Sequence, residues 1–462
     1  MKRSVAVVVA VAMFCTLGAM AQRLPGSQAR SAAAPAAPHN WITPSTSVQR
    51  AEDAGMRAHT NFVLAKGVDG MAATPASLAV SPAAGITQHY ETPSSMACIY
   101  KIPSNGNTSG CVPAFAANSG GPQKGGWGAI AIVDAYDNPY AAAELAAFDT
   151  FFGLPAANFV KVYANGNGSC TVPPVDAGWG LEISLDIEWA HVMAPKAKII
   201  LVEACSNSYT DLLYAEYVAG QLVSAEGGGD ISNSWGSGEF AGQLSDDPYF
   251  GYYYPFNITY FASAGDSGCG AAYPSSSPWV VSAGGTTVNR DATTLKYKTE
   301  SCWAGSGGGT SAFETYTSTF NAGANMGPWA NYQYPIFGQA NRSTPDFAAN
   351  ADPNSGVVVY DCAYYSGTCY YFVVGGTSAS SPMLAGIVNN AANKLGIGHI
   401  NGTTGNGFYT PEENNLIYAQ LGAVAAYKKN FYDVKTGSNG CAVGAQWDYC
   451  TGVGSPRGLI GK

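Results

Sequence analysis

The stretch WGAIAIVDAY, residues 127–136, is a continuous apolar run that ends near an aspartate, a pattern typical of a buried β-strand. Comparable apolar runs follow at 197–205, 228–236, 258–266, 278–286 and 356–361. Helical patterns separate the first four runs, at 141–152, 181–192 and 209–224. Because strands that alternate with helices form parallel sheets covered on both faces, the sequence predicts a three-layer α/β domain with a mostly parallel central sheet.

The first 21 residues have the features of a secretory signal peptide. Lys2 and Arg3 form a basic start, residues 5–17 an apolar run, and residues 19–21 a small-x-small cleavage site. The apolar run is too short to span a bilayer, and no other segment is long and apolar enough to do so. We therefore expect a secreted protein, or a periplasmic one if the host has an outer membrane, with no membrane contact after the signal is removed.

Ten cysteines remain once Cys15 leaves with the signal, and an even number in an exported chain favours disulfide bonds over metal or thiol chemistry. The spacing predicts three local pairs, which join Cys98 to Cys111, Cys362 to Cys369 and Cys441 to Cys450. The sequence leaves the partners of four others open: Cys170, Cys205, Cys269 and Cys302.

Charged residues are scarce, at 11% of the 462 residues against about 25% in an ordinary domain. Acid unfolds proteins mainly by protonating carboxylates that are paired in the native state. A chain with few ion pairs loses less folding stability in acid, so the composition favours an acidic working environment. The net charge of -9 argues against nucleic acid as a partner.

Residues 22–90 are rich in Ala, Pro and Ser, and they predict a low-complexity leader, linker or reduced pro-segment. One short helix is expected within it, near residues 47–65. The alternating strands and helices begin after this leader and predict a single domain over residues 91–462.

The string VVGGTSASSP, residues 373–382, places the isolated Ser378 between a predicted strand at 370–374 and a predicted helix that runs to about 394. This position suits a nucleophilic serine, which needs a neighbouring base to take its proton. The alternative is a Gly/Ser-rich turn in which Ser378 or Ser380 caps the helix.

Histidine is poorly placed to be that base. His39, His59 and His89 lie in or at the edge of the leader, and His191 and His399 lack the context of a catalytic histidine and are expected to be structural. Carboxyl groups fit better, because the helix predicted within residues 178–195 carries Glu182 and Asp186 four residues apart, on one face. The alternative is a solvated acidic face that includes Glu188.

Two shielded carboxyl groups that share a proton have separated pKa values, so one of them can act as a general base in acid, where imidazole is already protonated. We expect Glu182 to be the base for Ser378 and Asp186 to hold it. Asp266 ends the apolar run 258–266, and a protonated aspartate there can donate a hydrogen bond to a developing oxyanion.

With Glu182, Asp186, Asp266 and Ser378 in this order, the chain resembles the sedolisins, the serine-carboxyl peptidase family. Other strings that match the family are IAIVDAYDNP, FGLP, ISNSWG, SPWVVSAGGT, GGTSASSP and WDYCTGVGSP, and the resemblance extends from about residue 92 to the C-terminus. It implies a subtilisin-like fold and endopeptidase activity at acidic pH, with Ser378 as nucleophile, Glu182 as general base, Asp186 as its partner and Asp266 as oxyanion donor. Asp134 stands where subtilisins keep a catalytic aspartate, a position that is not the base in sedolisins.

The resemblance also implies one structural Ca²⁺ near the C-terminus. The carboxylates of Asp433 and Asp448 and the backbone oxygens of Val434, Gly444 and Gln446 match the family's ligands, and an oxygen-only set suits this cation. The family usually has Gly at position 446. The alternative is a Gly/Asn-rich loop closed by a disulfide between Cys441 and Cys450. Sedolisins also have a long folded propeptide, whereas only about 70 residues separate the signal peptide from the matching region here.

The function expected from these residues is that of a secreted, monomeric, acid-active endopeptidase that cleaves protein or peptide substrates through an acyl-enzyme. The strand-like segment with Ser234, Trp235 and Gly236 is expected to pair with the substrate backbone, which favours peptides over lipid esters. The main alternative is a non-catalytic secreted relative that binds peptide or polysaccharide.

Overall fold

A sheet of eight strands, mostly parallel, dominates the fold. The computed structural model describes residues 41–65, 90–104, 109–121, 123–250, 257–315, 332–333, 341–395 and 410–462. The strands are β1 Trp41–Ile42, β2 His59–Thr60, β3 Val63–Ala65, β4 Ala129–Ala135, β5 Asn158–Ala164, β6 Lys198–Ala204, β7 Gly229–Asn233, β8 Trp235–Gly238, β9 Ile258–Ser263, β10 Ala272–Tyr273, β11 Val281–Arg290, β12 Tyr297–Cys302, β13 Gly309–Thr315, β14 Asn341–Thr344, β15 Phe347–Asn350, β16 Val357–Asp361, β17 Tyr370–Gly375, β18 Phe431–Tyr432 and β19 Ser455–Pro456. The helices are α1 Pro93–Ile99, α2 Ala141–Phe152, α3 Ala177–Met193, α4 Tyr209–Ala225, α5 Thr377–Leu395, α6 Thr410–Ala419 and α7 Val424–Asn430.

The strand order of the large sheet is β12-β11-β9-β7-β4-β6-β5, with β15 also paired to β11. All its pairings are parallel except that of β12 with β11. Ile130 and Ile132 of β4 face the core that contains α3 and α5, whereas Ala131 and Val133 face the core that contains α4. Both faces of the sheet are therefore covered, which confirms the predicted three-layer α/β architecture with its mostly parallel sheet.

Two apolar strands lie outside the large sheet, against expectation. β16 and β17 belong to an antiparallel sheet of order β1-β3-β17-β16. An apolar run shows that a strand is buried but does not show which strands it pairs with. Ser378 therefore follows an antiparallel strand, and not a carboxyl end of the parallel sheet.

The prediction of a helix near residues 47–65 is wrong. This part of the leader forms two single-turn 3₁₀ helices at Ser45–Ser47 and Ala51–Asp53, followed by β2 and β3. β2 pairs with β8, and β3 pairs with β17. Residues 59–65 are extended because strands distant in the sequence supply their hydrogen bonds, which local patterns do not reveal.

Five disulfides connect the ten cysteines of the described residues. The predicted pairs of Cys98 with Cys111 and of Cys362 with Cys369 are confirmed. The predicted pair of Cys441 with Cys450 is wrong. Each of the two bonds instead to a residue far away in the sequence, giving the remaining pairs Cys170 with Cys205, Cys269 with Cys441, and Cys302 with Cys450. Short spacing alone was an insufficient guide, because the fold brings distant loops onto this C-terminal segment.

Helix α3 is buried along its length. Asp176 caps its start by accepting hydrogen bonds from the backbone N–H groups of Gly178 and Trp179, and the helix ends before Pro195. Glu182, Asp186 and Glu188 are all buried, so the alternative of a solvated acidic face is excluded.

Helices α3 and α5 pack closely against each other. Gly386 of α5 permits this, because a Cβ there would lie 2.6 Å from the Met193 Cβ and 2.9 Å from the Ala190 carbonyl oxygen of α3. No helix within the described ranges is sufficiently long and apolar to cross a bilayer.

Many carboxyl groups in the described part of the chain are buried deeply enough to have raised pKa values, even where a cation lies nearby, as Lys462 does for Glu413. Burial raises the pKa to about 7 for each of four groups in different parts of the fold: Asp149, Glu300, Asp361 and Glu413. Within the described ranges, the ion pairs with both side chains fully buried are fewer, and they join Arg290 to Glu91 and Arg342 to Asp346. The fold therefore accommodates many of its carboxyl groups in the protonated form.

We expect the midpoint of thermal unfolding, Tm, to be highest near pH 4 and to fall by about 5–10 °C between pH 4 and pH 7.5. The pKa values of these groups in the folded state, about 7, exceed the roughly 4 of the unfolded chain. Their contribution to stability is complete below about pH 4 and is lost as the pH rises through about 7.

Differential scanning calorimetry across this pH range measures the effect. Glu300→Gln should flatten the pH dependence, because it removes a group that titrates near pH 7, whereas Glu226→Gln at the surface should leave the dependence unchanged. A Tm that rises from pH 4 to pH 7.5 would contradict the account.

Candidate active site

Ser378 lies in the first turn of α5, where the chain turns from β17 into the helix. Gly376 makes this turn possible, because its φ of +102° is unfavourable for other residues. Ser378 is fully buried, and its hydroxyl donates to the Ser234 carbonyl oxygen at 3.2 Å. The helix start is capped by another residue, since Asp266 Oδ1 accepts from the Thr377 N–H at 2.8 Å. The Ser378 side chain is thus available for a role other than capping.

Helix α3 brings Glu182 and Asp186 to Ser378 through the packing of α3 on α5. The Ser234 hydroxyl donates to Asp186 Oδ1 at 2.8 Å and lies 3.3 Å from the Ser378 carbonyl oxygen. Ser234 therefore links Asp186 to Ser378, a connection that the sequence analysis missed because it placed Ser234 in the substrate strand alone.

The environment disfavours the simultaneous ionisation of Glu182 and Asp186. Burial raises the pKa of Glu182 well above its ordinary value, and the negative charges of Asp186 and Asp134 raise it further. The nearby Ser378 hydroxyl partly offsets this rise. Burial also raises the pKa of Asp186, against the opposing effect of the hydrogen bond from Ser234. The pair is therefore suited to sharing a proton.

Asp134 is a third acid beside this pair. It lies near the end of β4, it is fully buried, and neither carboxyl oxygen has a hydrogen-bond partner among the described residues. Burial, followed by the charge of Asp186, raises the pKa of Asp134 well above its usual range. The sequence signal for Asp134, an acid at the end of an apolar run, is the same signal that located Asp266.

Asp266 follows β9 and faces the turn before Ser378. Its Oδ1 atom accepts hydrogen bonds from the N–H and the hydroxyl of Thr377, both at 2.8 Å. Its Oδ2 atom is buried and accepts no hydrogen bond from the part of the chain that the structure describes. Burial raises the pKa of Asp266 to about 7, so the group is protonated in acid and can donate from this free oxygen.

The predicted substrate strand is β8, which contains Trp235 and Gly236 and follows Ser234. β10 pairs with one edge of β8, and β2 occupies the other edge in an antiparallel arrangement. The Trp235 ring is buried and donates to the Val133 carbonyl oxygen at 2.9 Å. The Trp235 ring is therefore engaged within the fold.

Neither of the two described histidines hydrogen-bonds to Ser378. His191 is buried near Asp149, with Nε2 2.8 Å from the Pro155 carbonyl oxygen, and burial lowers its pKa to about 4. His59 lies in β2, where its Nδ1 atom contacts the Thr60 carbonyl oxygen. His39, His89 and His399 lie outside the described residues.

Four of the five predicted calcium ligands form two hydrogen-bonded pairs. Asp433 Oδ1 accepts from the Gln446 N–H at 2.8 Å, and Asp448 Oδ2 accepts from the Gly444 N–H at 3.2 Å. Lys435, whose side chain is 51% exposed, forms an ion pair with Asp433 at 2.7 Å. The predicted ligands are all oxygen atoms, the donor type that Ca²⁺ prefers.

Only Asp433 and Asp448 of this set carry charge. The described residues contain no group of three or more His, Cys, Asp or Glu side chains that could hold a metal ion. The predicted site thus depends on backbone oxygens, including that of Val434. Gln446 has a φ of +70°, the left-handed conformation that favours the Gly usual at this position. The alternative loop closed by Cys441 and Cys450 is excluded by the actual disulfides.

Comparison with known proteins gives two informative similarities. The chain is 30% identical over 364 residues to kumamolisin from Bacillus sp. (strain MN-32), a match that covers 71% of this chain. The chain spans 58% of the length of kumamolisin. The structure matches that of a Pseudomonas sedolisin, a serine-carboxyl proteinase complexed with two molecules of pseudo-iodotyrostatin, with a TM-score of 0.59 and 21% identity over 80% of this chain and 96% of that chain.

A looser similarity is to the S41 psychrophilic protease, with a TM-score of 0.48 and 16% identity over 80% of this chain and 98% of that chain. No protein-family model matches the chain.

Proposed function

Because the chain belongs to the sedolisin family and has its subtilisin-like fold, we propose that it is a secreted serine-carboxyl endopeptidase, active in acid on protein or peptide substrates. The observation that carries the proposal is the burial of Ser378 with Glu182 and Asp186, two acids whose pKa values are raised well above the usual range. A monomer is the simplest state consistent with a site built from one chain.

In the proposed mechanism Glu182 takes the proton of Ser378 as the oxygen attacks the substrate carbonyl. Glu182 and Asp186 share one proton, so one carboxyl of the pair remains ionised at a pH where a histidine is already a cation. Ser234 holds Asp186 through its hydrogen bond at 2.8 Å. Glu182 then returns the proton to the leaving amine, and water hydrolyses the acyl-enzyme by the same route.

The developing oxyanion needs donors on the opposite side of the carbonyl. We assign this role to the Ser378 N–H and to the protonated Asp266, whose Oδ2 atom is buried and otherwise unengaged by the described residues. Since burial raises the pKa of Asp266 to about 7, the donor is present in acid and lost above neutrality.

We also propose that one Ca²⁺ binds Asp433 and Asp448 with the backbone oxygens of Val434, Gly444 and Gln446. The cation would supply a structural cross-link between the two segments that carry the carboxylates. It would take no part in the reaction.

We expect Ser378→Ala to lower kcat/KM on denatured protein at pH 4 by at least about 10⁴-fold, because it removes the nucleophile. Glu182→Gln should lower it by about 10³-fold, because an amide cannot accept the proton. Glu188→Gln is the matched control, since Glu188 is buried on the same helix but accepts from the Tyr360 N–H, away from Ser378. A fully active Glu182→Gln enzyme would contradict the mechanism, and a wild type without hydrolysis would favour the non-catalytic alternative.

Two variants of Asp266 distinguish its role as a hydrogen-bond donor from the effect of its ionisation. Asp266→Ala should lower kcat by about 10²–10³-fold with little change in KM, as expected for a lost oxyanion donor. Asp266→Asn keeps a donor at every pH, so it should retain more activity and lose the alkaline limb that the wild type shows near pH 7. Steady-state pH–rate profiles measure this, and identical alkaline limbs for wild type and Asp266→Asn would exclude Asp266 as the protonated donor.

Calcium binding is tested by stability. We expect added Ca²⁺ to raise the Tm and a chelator to lower it, with Asp448→Asn abolishing both responses. Gln446→Gly should relieve a left-handed conformation that costs about 1 kcal/mol and so raise the Tm both with and without Ca²⁺. Differential scanning fluorimetry at matched ionic strength measures each shift, and equal Tm values with Ca²⁺ and with chelator would contradict the site.

A further inference from the structure

The turn that carries Asp266 is anchored to the C-terminal part of the chain. The Cys269 N–H donates to the Asn439 carbonyl oxygen at 2.7 Å. A Cβ at Gly268 would lie 2.8 Å from the same oxygen, so the turn packs directly against Asn439. A disulfide between Cys269 and Cys441, which are 172 residues apart in the sequence, closes this contact covalently. The backbone just after the proposed oxyanion donor is therefore fixed by a distant segment.

The segment 305–307 is a second anchor of the same turn. The carbonyl oxygen of its first residue accepts from the Gly268 N–H at 2.9 Å. The N–H of its last residue donates to the Gly265 carbonyl oxygen at 2.7 Å. Because Gly265 precedes Asp266 and Gly268 follows it, this segment holds the backbone on both sides of the carboxyl group.

The side chain of Asn439 joins the two anchors. It is buried, and its Nδ2 atom donates to the Ser306 carbonyl oxygen at 2.8 Å. Its Oδ1 atom accepts from the Cys441 N–H at 3.1 Å. A buried amide that is satisfied as both donor and acceptor rigidifies the segments it connects. Asn439 therefore fixes the spacing between the disulfide and the segment 305–307.

The position of this turn determines the geometry of the proposed donor. Asp266 Oδ1 accepts from the N–H and the hydroxyl of Thr377, both at 2.8 Å, at the start of α5. The Gly265 N–H donates to the same hydroxyl at 3.0 Å, so the turn and the helix that carries Ser378 are held together. A displacement of about 1 Å at a reacting centre can lower a rate by about 100-fold, so a donor on a turn needs firm anchors.

The same packing shields the Asp266 carboxyl group from water. Burial raises its pKa to about 7, and the two hydrogen bonds from Thr377 partly offset this rise. Two titratable side chains lie near it: the charge of Asp266 raises the pKa of Glu182, and His59 lines the same pocket as Asp266. The segments 305–307 and 439–441 add no charged side chain. A looser turn would admit water and lower the pKa of Asp266 toward its ordinary value of about 4.

We propose that Asn439 and the disulfide between Cys269 and Cys441 hold Asp266 in the position from which it donates to the oxyanion. This inference rests on the proposed function of Asp266. Asn439 and the two cysteines act through the turn, so they are positioning residues and not catalytic ones. The C-terminal segment is then a working part of the active site as well as a source of stability.

The first test is Asn439→Ala, which leaves the disulfide and the backbone hydrogen bond to Cys269 in place. At pH 4 we expect kcat on denatured protein to fall about tenfold, with KM changed by less than about twofold. The alkaline limb of the pH–rate profile should move from about pH 7 to about pH 6, because the carboxyl group of Asp266 becomes more hydrated. Asn439→Asp is protonated in acid and still donates one hydrogen bond, so it should recover most of the lost kcat at pH 4.

The second test removes the disulfide by combining Cys269→Ser with Cys441→Ser, and we expect the same lower kcat and the same shift of the alkaline limb. The matched control combines Cys362→Ser with Cys369→Ser. It also removes a bond between one buried and one exposed cysteine, and it should keep the wild-type kcat and pH profile. All rates are measured well below the Tm of each variant, so unfolding does not contribute. A shift of the alkaline limb in the control of the same size would overturn the proposal.

A double-mutant cycle with Asp266→Ala distinguishes this inference from the proposed function. In the Asp266→Ala background, Asn439→Ala should lower kcat no further, because no carboxyl group remains to be positioned. An equal loss of kcat with and without the Asp266 side chain would show a general structural effect and overturn the inference alone. A wild-type kcat and alkaline limb in Asn439→Ala, beside a low kcat in Asp266→Ala, would do the same. A wild-type kcat in Asp266→Ala would overturn both the inference and the proposed role of Asp266.

Discussion

The packing of α3 against α5 is the contact on which the candidate site depends. Gly386, in the middle of α5, lets this helix approach the C-terminal end of α3 closely, and the same packing brings Glu182 near Ser378. The carboxyl groups of Glu182 and Asp186 are carried into a region without solvent or a neighbouring cation among the described residues, and burial raises both pKa values. A pair that cannot readily lose its second proton is the physical basis for a base that works in acid.

Burial disfavours the ionisation of carboxyl groups elsewhere in the fold as well. Acids such as Glu300 and Asp361, neither of which hydrogen-bonds to Ser378, are also buried and have raised pKa values, whereas the described residues contain few fully buried ion pairs. A protein built in this way does not lose paired carboxylates when the pH falls, and it avoids burying charge by keeping many carboxyl groups protonated. The low content of charged residues and the use of carboxyl groups in the site are therefore both consistent with a fold that keeps its buried acids protonated.

Local sequence patterns were sufficient to predict the strands of the large sheet and the helices between them. Continuous apolar runs and helical spacing are properties of short segments, so they can be recognised without knowledge of distant contacts. The acids of α3 and Asp266 were found from their positions at helix faces and strand ends. The disulfide partners of Cys441 and Cys450, the separate sheet of β16 and β17, and the strands at 59–65 were not found. Each depends on contacts between distant segments, as do the link from Ser234 to Asp186 and the contact of Asn439 with the turn that carries Asp266.

The central claim is that a carboxyl pair, and not an imidazole, controls the reactivity of Ser378. Its most direct test is the rate at which a fluorophosphonate labels Ser378 as the pH changes, measured by mass spectrometry of the acid-treated protein. The account predicts rapid labelling near pH 4 that is lost as the pH rises through about 7, together with the protonated form of Asp266. Labelling that increases steadily from pH 4 to pH 8, as imidazole catalysis requires, would contradict it.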